Sequence, residues 1–516
     1  MRWPAILSAV QDASNSATAT AKPGERKIIF LLCCLAAIHT AIFSAAFPFF
    51  NNVDEQFHFD LVTRYAHGEI PRTMDPPHAE AIPYLALFNT PEFLWPPEAF
   101  PDGKIPPPPW TLETDALKPR VLPVERAWQH TPNYEAAQPP LYYSVAGAWW
   151  RLAGAAGLHD GFLLYWLRFL NAGFVALLVW LGYVAARLVF PEKEFMRLGV
   201  PALLAFLPQT AFYSIDNDIL SPLCFGAAFI GLIKFWRAET PTILLGAATG
   251  LALAATYLTK ISNLPLLVIS AALTTIRLIQ LVRTGQWRAS WPSWFALALC
   301  ALLPVALWMA WTRHNFGDFT GTAMKIGIPS LGWTYKPMAT WWPHPIFTLH
   351  GFWTFISKLL ASFWRGEFVW YLVPLASPLT DLFYVISTLV LVGMAWIALL
   401  RKSASTSREQ RQALWFALAC FASAIAFMGF LSIIYDFHDC LYPSREQPYF
   451  VSGRLLLGAL IPFLLLFLYG LDQALVPIRN KWLRPLLLTG LILFMLIGEI
   501  TVDRPVFSSA YNWFHM

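Results

Sequence analysis

Long apolar runs separated by short charged loops set the pattern of this chain. The first run covers residues 28–50. Others follow at 162–189, 199–215, 218–235, 241–259, 261–281, 293–312, 379–400, 412–434, 453–472 and 485–500. A helix needs about 20 apolar residues to cross a bilayer. The pattern therefore predicts an all-α polytopic membrane protein with about 11 transmembrane helices. Two stretches depart from it. Residues 51–161 form a long polar and proline-rich loop, with Pro96-Pro97 and Pro106-Pro107-Pro108-Pro109 making its middle irregular or polyproline II. Its far end is apolar but interrupted by Arg151, which predicts a helix over 139–157 lying along the membrane surface. The second stretch is the loop 313–378. The expected organisation is a cytoplasmic tail 1–27, an uncleaved first helix opening one transmembrane domain over 28–500, and an external tail 501–516.

Composition agrees with the pattern. Of 516 residues, 57% are hydrophobic and 13% charged, and mean hydropathy is +0.50. The 24 tryptophans and 40 phenylalanines suit the aromatic belts of a membrane protein. Five of the six cysteines fall in apolar runs and only Cys440 in a polar loop, so neither a disulfide framework nor a zinc ribbon is implied.

Charge then orients the chain. Arg187, Lys193 and Arg197, Arg277, Arg283 and Arg288, and Arg401, Lys402, Arg408 and Arg411 fall in loops on one side, with the N-terminal basic residues. That side holds more than half of the 36 Lys and Arg but fewer than a quarter of the 31 Asp and Glu. Loops rich in Lys and Arg stay in the cytoplasm. The expectation is a multi-pass protein of the cytoplasmic (inner) membrane, N-terminus in and C-terminus out. The formal charge of +5 is then topology, not a nucleic-acid surface.

This orientation gathers the candidate chemistry on the external face. Asn51-Asn52-Val53-Asp54-Glu55-Gln56-Phe57-His58 follows directly on the first apolar run. If it begins a helix, Asp54, Glu55 and His58 share one face, where they could bind a metal, hold a proton or act as a general base. The plainer alternative is a helix start capped by Asn51, Asn52 or Asp54. Asp216 and Asp218 lie in a turn, where local hydrogen bonding competes with function. Lys260 interrupts two apolar runs, either snorkelling or contacting a phosphate. Arg445 and Arg454 flank Gln447–Gly453, and a guanidinium there suits a lipid phosphate. Trp333, Trp341, Trp342, Trp353, Trp364 and Trp370 could stack on sugar rings or seat the loop at the interface.

Taken in order, these elements carry a resemblance. Asp54-Glu55-x-x-His58-Phe59 follows the first helix, and Gln138-Pro139-Pro140-Leu141-Tyr142-Tyr143 comes next. Asn217-Asp218 follows a later helix, and Gly453-Arg454-Leu455 precedes a late one. From about residue 28 to 472 the chain resembles the DUF2142-type predicted bacterial membrane proteins. Those are similar to the GT-C superfamily of polyprenyl-phosphate-sugar-dependent glycosyltransferases, which includes the protein mannosyltransferases and the aminoarabinose transferases. Val53 and Leu455 depart from the Pro and the aromatic that the family often has there.

The resemblance implies a GT-C-like fold whose first external loop carries interfacial helices. It also implies Asp54 or Glu55 as the catalytic carboxylate, with His58 beside them. Gln138, Asp216, Asp218, Lys260, Arg445 and Arg454 are then the substrate-binding candidates. The implied partners are a polyprenyl-phosphate-sugar donor, a glycan, lipid or protein acceptor, and membrane lipid, with no nucleic acid. A divalent metal is left open. A transporter or flippase for a lipid-linked glycan is the alternative, but the polar residues gather at one face and no internal repeat is evident. The carboxylates are expected to face the cations across a gap that opens to lipid and to water.

Overall fold

The computed structural model describes residues 23–326, 328, 331–401, 406–438, 445–478, 480 and 482–516. Its helices begin with α1 (Pro23–Ala46), α2 (Glu55–Ala66), α3 (Ala81–Phe88), α4 (Thr114–Trp128), α5 (Leu141–Ala155) and α6 (Asp160–Val189). They continue with α7 (Glu194–Ala205), α8 (Leu220–Arg237), α9 (Ile243–Thr259), α10 (Leu264–Arg283), α11 (Trp287–Phe316) and α12 (Thr322–Ile326). The last are α13 (Leu349–Arg365), α14 (Pro378–Leu400), α15 (Arg408–Ile434), α16 (Leu460–Ala474), α17 (Leu483–Val502) and α18 (Arg504–Phe507). Among the described residues, strands are confined to two-residue antiparallel pairs in the loops, such as Val369–Trp370 with Val373–Pro374.

Among the described residues, nine helices are long and apolar enough to cross a membrane, against the eleven or so expected. Two apolar runs account for the difference. Run 199–215 is not one helix: α7 has 12 residues, ends at Ala205 three residues before Pro208, and gives way to a 3-10 turn at Thr210–Tyr213. Twelve residues rise about 18 Å, well short of the bilayer core. Run 241–259 forms α9, apolar but only 17 residues long. A tenth span results if Met338–Phe347 and α13, bent by 77° at their junction, are taken together. That pair lies within the stretch 313–378 that the sequence presents as a loop.

Burial ranks the helices. In its most apolar 18-residue stretch, the segment Gly453–Ala474 has 89% of its residues buried and Asn217–Arg237 has 72%, whereas Trp287–Phe316 has 17%. The first two are the bundle's centre. The last exposes Leu302, Leu303 and Leu307, as a lipid-facing helix does. The head of the central segment is a 3-10 turn, Gly453–Ala459. A side chain at Gly453 would meet Phe363 N at 2.1 Å, so only glycine lets α13 approach this closely. Ser362 of α13 fixes the contact by accepting from Gly453 N at 2.9 Å and donating to Val451 O at 2.7 Å.

The long loops converge on one end of the bundle. Val369 N donates to Asn51 O at 2.9 Å, and Tyr371 N to Glu92 O at 2.8 Å. Lys325 reaches Glu135 at 2.7 Å. The C-terminal segment joins them, since Tyr511 Oη donates to Pro106 O at 2.8 Å. Helix α5, the segment expected at the interface, has 15 residues, too few to span. It packs on α2, and a side chain at Gly147 would meet Ala66 N at 2.8 Å.

Candidate functional site

Arg454 stands first in the central segment after Gly453, and four carboxylates surround it. Its Nη2 lies 2.6 Å from Asp54 Oδ2. Nη1 is 2.9 Å from both Asp216 Oδ2 and Asp218 Oδ2. Nε is 3.0 Å from Glu367 Oε2. Lys260 adds a second cation, 2.5 Å from Asp218 Oδ1 and 3.8 Å from Asp216 Oδ1. All six side chains are buried.

Each is placed by its local chain. Asp54 precedes α2 at φ 67°, a left-handed conformation that Asp enters more readily than most residues. Its side chain makes no capping bond. Instead its Oδ1 accepts from Tyr134 Oη at 3.0 Å. Asn51 and Asn52 do not cap either: their amides donate to Val369 O and Ser214 Oγ. The helix-start alternative is therefore not what these three side chains do. Asp216 does both jobs. Its Oδ1 caps the 3-10 turn Asn217–Ile219 by accepting from Asp218 N at 2.9 Å, while Oδ2 meets Arg454. Lys260 ends α9, and the turn after it brings Asn263 against Gly458, where a side chain would meet Asn263 Oδ1 at 2.2 Å.

Glu55 belongs to a different arrangement. Arg168 of α6 grips it with Nε to Oε1 at 2.9 Å and Nη2 to Oε2 at 2.9 Å. Phe50 N and Ile215 N donate to the same carboxylate at 2.9 Å each. Arg168 also donates to the carbonyls of Ser44, Phe47 and Pro48, at the end of α1. Burial raises the Glu55 carboxyl, and Arg168 and the backbone donors oppose that shift. This pair ties α1, α2 and α6 together with charges matched one to one.

His58 lies between the two. Its Nδ1 hydrogen-bonds Tyr143 Oη at 2.7 Å, and its Nε2 is 3.6 Å from Asp216 Oδ1. Burial lowers its basicity, against the pull of Asp216, and so favours the neutral ring. For Asp216 burial acts upward, but Lys260, His58 and Arg454 outweigh it and hold the carboxyl below its ordinary range. Glu367 is pushed up by burial despite Arg454. Its Oε2 accepts from Ser452 Oγ at 2.9 Å, and its Oε1 is buried with no hydrogen-bond partner.

Gln138 borders the cluster. It accepts from Asn217 Nδ2 at 3.3 Å and donates to Glu135, which Lys325 also binds. Burial alone would raise Glu135, yet Lys325 and His58 bring it down to about 2. The backbone of Arg445 pairs with Phe450, while its side chain lies outside the described part of the structure, as do Cys440 and Lys402.

The family model described as "Predicted membrane protein (DUF2142)" matches residues 37–435. That stretch is well over half of the chain and contains all of the cluster except Arg454. The chain belongs to the DUF2142 family. No curated protein matches it in sequence. Two solved structures are similar to this DUF2142 protein. One is the apo crystal structure of the Archaeoglobus fulgidus oligosaccharyltransferase, at 11% identity and TM-score 0.39, covering 92% of this chain and 56% of that one. The other is the archaeal oligosaccharyltransferase AglB from Archaeoglobus fulgidus with an inhibitory peptide and a dolichol-phosphate, at 12% identity and TM-score 0.40, covering 92% and 55%. The DUF2142 chain thus spans little more than half the length of either.

Within this DUF2142 protein, Asp54, His58, Asp216, Asp218, Lys260 and Arg454 come together from four separate parts of the sequence. One expectation fails. The carboxylates do not face the cations across an open gap; they touch them, and the cluster is closed. The physical cause is the low dielectric of the site, where four carboxylates draw in the two cations available. Glu367, Tyr134, Glu135 and Lys325 join the site without having been singled out. Tyr134 and Glu135 stand just before the Gln138-Pro139-Pro140 motif, a signal of position. Glu367 follows Gly366 in a loop that shows no pattern of its own. Trp364 is unavailable to a sugar, being buried against Tyr384 with its indole N–H donated to Thr388 at 2.9 Å.

Proposed function

We propose that the protein is a membrane glycosyltransferase of GT-C type, moving a sugar from a polyprenyl phosphate to an acceptor hydroxyl at the external face of the cytoplasmic membrane. One observation carries the reading: Arg454 and Lys260 are outnumbered by the four carboxylates they hold. A structural ion pair matches its charges, as Glu55 and Arg168 do. Here four carboxyl groups, Asp54, Asp216, Asp218 and Glu367, face two cations, with His58 favoured neutral and Glu367 raised by burial. Burying more acid groups than there are cations to pair them costs stability and supports a role in chemistry.

Asp54 is the base in this reading, because the fold does not consume it as it consumes Glu55. The donor phosphate enters with negative charge and competes with Asp54 for Arg454, a guanidinium suited to either. As Arg454 turns to the phosphate, Oδ2 of Asp54 is released to accept the acceptor's proton. The acceptor oxygen then bonds to the anomeric carbon, the bond from that carbon to the phosphate oxygen breaks, and polyprenyl phosphate leaves with its charge on Arg454 and Lys260.

The experiment is to incubate the purified protein in lipid nanodiscs with a panel of polyprenyl-phosphate-linked sugars and water-soluble and lipid acceptors. Release of polyprenyl phosphate with a glycosylated acceptor is the expected product pair. Movement of intact donor between leaflets with no cleavage would instead make the protein a transporter.

A further inference from the structure

We propose that His67, His78 and Glu80 form a zinc-binding site, separate from the Arg454 cluster, at the far end of α2. His67 closes α2, and Gly68 at φ 77° turns the chain back. The return brings His78 and Glu80 to the start of α3 beside His67. One ligand atom from each of the three lies within 4.8 Å of the other two. The imidazole rings are 5.0 Å apart, and His67 Nε2 contacts Glu80 Oε2.

Two of the three ligands are already aimed. Glu80 Oε1 accepts from the Trp150 indole at 3.1 Å, leaving Oε2 to turn inward. The His78 backbone N–H donates to Asp60 Oδ1 at 2.6 Å, and Asp60 is itself fixed by Arg64 at 3.1 Å and Asn133 at 2.7 Å. Such supporting bonds orient metal ligands in known sites. The His78 ring carries a 3.3 Å bond from Glu80 N–H, long enough for a metal–nitrogen bond to replace. In a tetrahedral zinc site the ligand atoms stand about 3.3 Å apart. Binding therefore draws the trio together, and His67, half exposed, is free to move.

The ligand set selects the ion. Two imidazoles and one carboxylate suit zinc, whereas calcium and magnesium take oxygen alone. Three protein ligands leave a fourth position open. His67 and Glu80 border a cavity of about 490 Å³ that is also lined by Trp150 and Arg151, so a water or an anion can complete the shell from there. Zinc bound here pins the end of α2 opposite Asp54 and ties α2 to α3.

The test uses the full-length protein in detergent, stripped with EDTA and titrated with Zn²⁺ by calorimetry and thermal melting. The Arg454 cluster can also attract cations, so variants separate the two sites. Wild type should bind Zn²⁺ and melt higher with it. His67→Gln and the double variant H67A/H78A should each weaken that binding at least about tenfold, while keeping wild-type gel filtration and metal-free melting. Co²⁺ should give the visible bands of a four-coordinate nitrogen–oxygen site in wild type and lose them in His67→Gln. Equal Zn²⁺ affinity and an equal Co²⁺ spectrum in wild type and His67→Gln would overturn the proposal. His67→Gln is the decisive variant if the double variant does not fold, because its exposed position carries no packing.

Discussion

Arg454 Nη2 touches Asp54 Oδ2 at 2.6 Å across 400 residues of sequence. The contact joins the first long loop to the head of the most buried helical segment. It also explains why Asp54 leaves its own helix uncapped: the side chain is held by Arg454 and Tyr134 instead. The first prediction follows from that hold. Arg454→Ala leaves four buried carboxylates to Lys260 alone, and removing one partner of a buried pair costs about 3–5 kcal/mol. The variant should melt well below wild type. Adding Asp216→Asn should restore part of the loss, because it removes one of the stranded charges. Additive losses in the double variant would contradict the charge-excess account.

Glu135 gives a prediction in pH. Its carboxyl is brought from 4.5 to about 2 in the fold, chiefly by Lys325 against the opposing effect of burial. A depressed carboxyl contributes stability that is complete above its unfolded value and is lost as pH falls through the folded one. Thermal stability should therefore drop between about pH 4.5 and pH 2. Glu135→Gln, which has no proton to gain, should flatten that part of the profile. Melting followed against pH for both proteins measures it, and superimposable profiles would count against the pairing.

Topology makes a third prediction. The first loop, the 313–378 stretch and the C-terminal segment contact one another, so they share a side of the membrane. Lys104→Cys and Lys336→Cys should react with the same membrane-impermeant thiol reagent from the outside of intact cells. Labelling of one from each side would break the arrangement, and labelling of both only after permeabilisation would invert it.

Much of this was legible in the sequence, for definite reasons. Long apolar runs report membrane helices because a bilayer demands length and apolarity together. Asp54, Asp216, Asp218, Lys260 and Arg454 were visible because charges beside such runs are costly and stand out. Run 199–215 misled because hydropathy does not separate a spanning helix from a buried turn; α7 stops at Ala205, short of Pro208. Glu55 misled for a related reason. Adjacency to Asp54 made the two look alike, and only the positions of Arg168 and Arg454, far along the chain, divide them between a one-to-one ion pair and the four-carboxylate cluster. Glu367 was invisible because nothing in its loop marks it until Arg454 and Ser452 are beside it.

The central claim is that Asp54 is the base and Glu55 a support. The measurement is sugar transfer from a polyprenyl-phosphate donor by purified Asp54→Asn and Glu55→Gln, with thermal melting of each. Asp54→Asn should lose activity by about 10²–10⁴-fold while melting at or above wild type, since it relieves excess negative charge. Glu55→Gln should melt markedly lower, having broken the pair with Arg168, and should recover activity in proportion to the folded fraction. Full activity in Asp54→Asn, or a loss confined to Glu55→Gln in folded protein, would contradict the account.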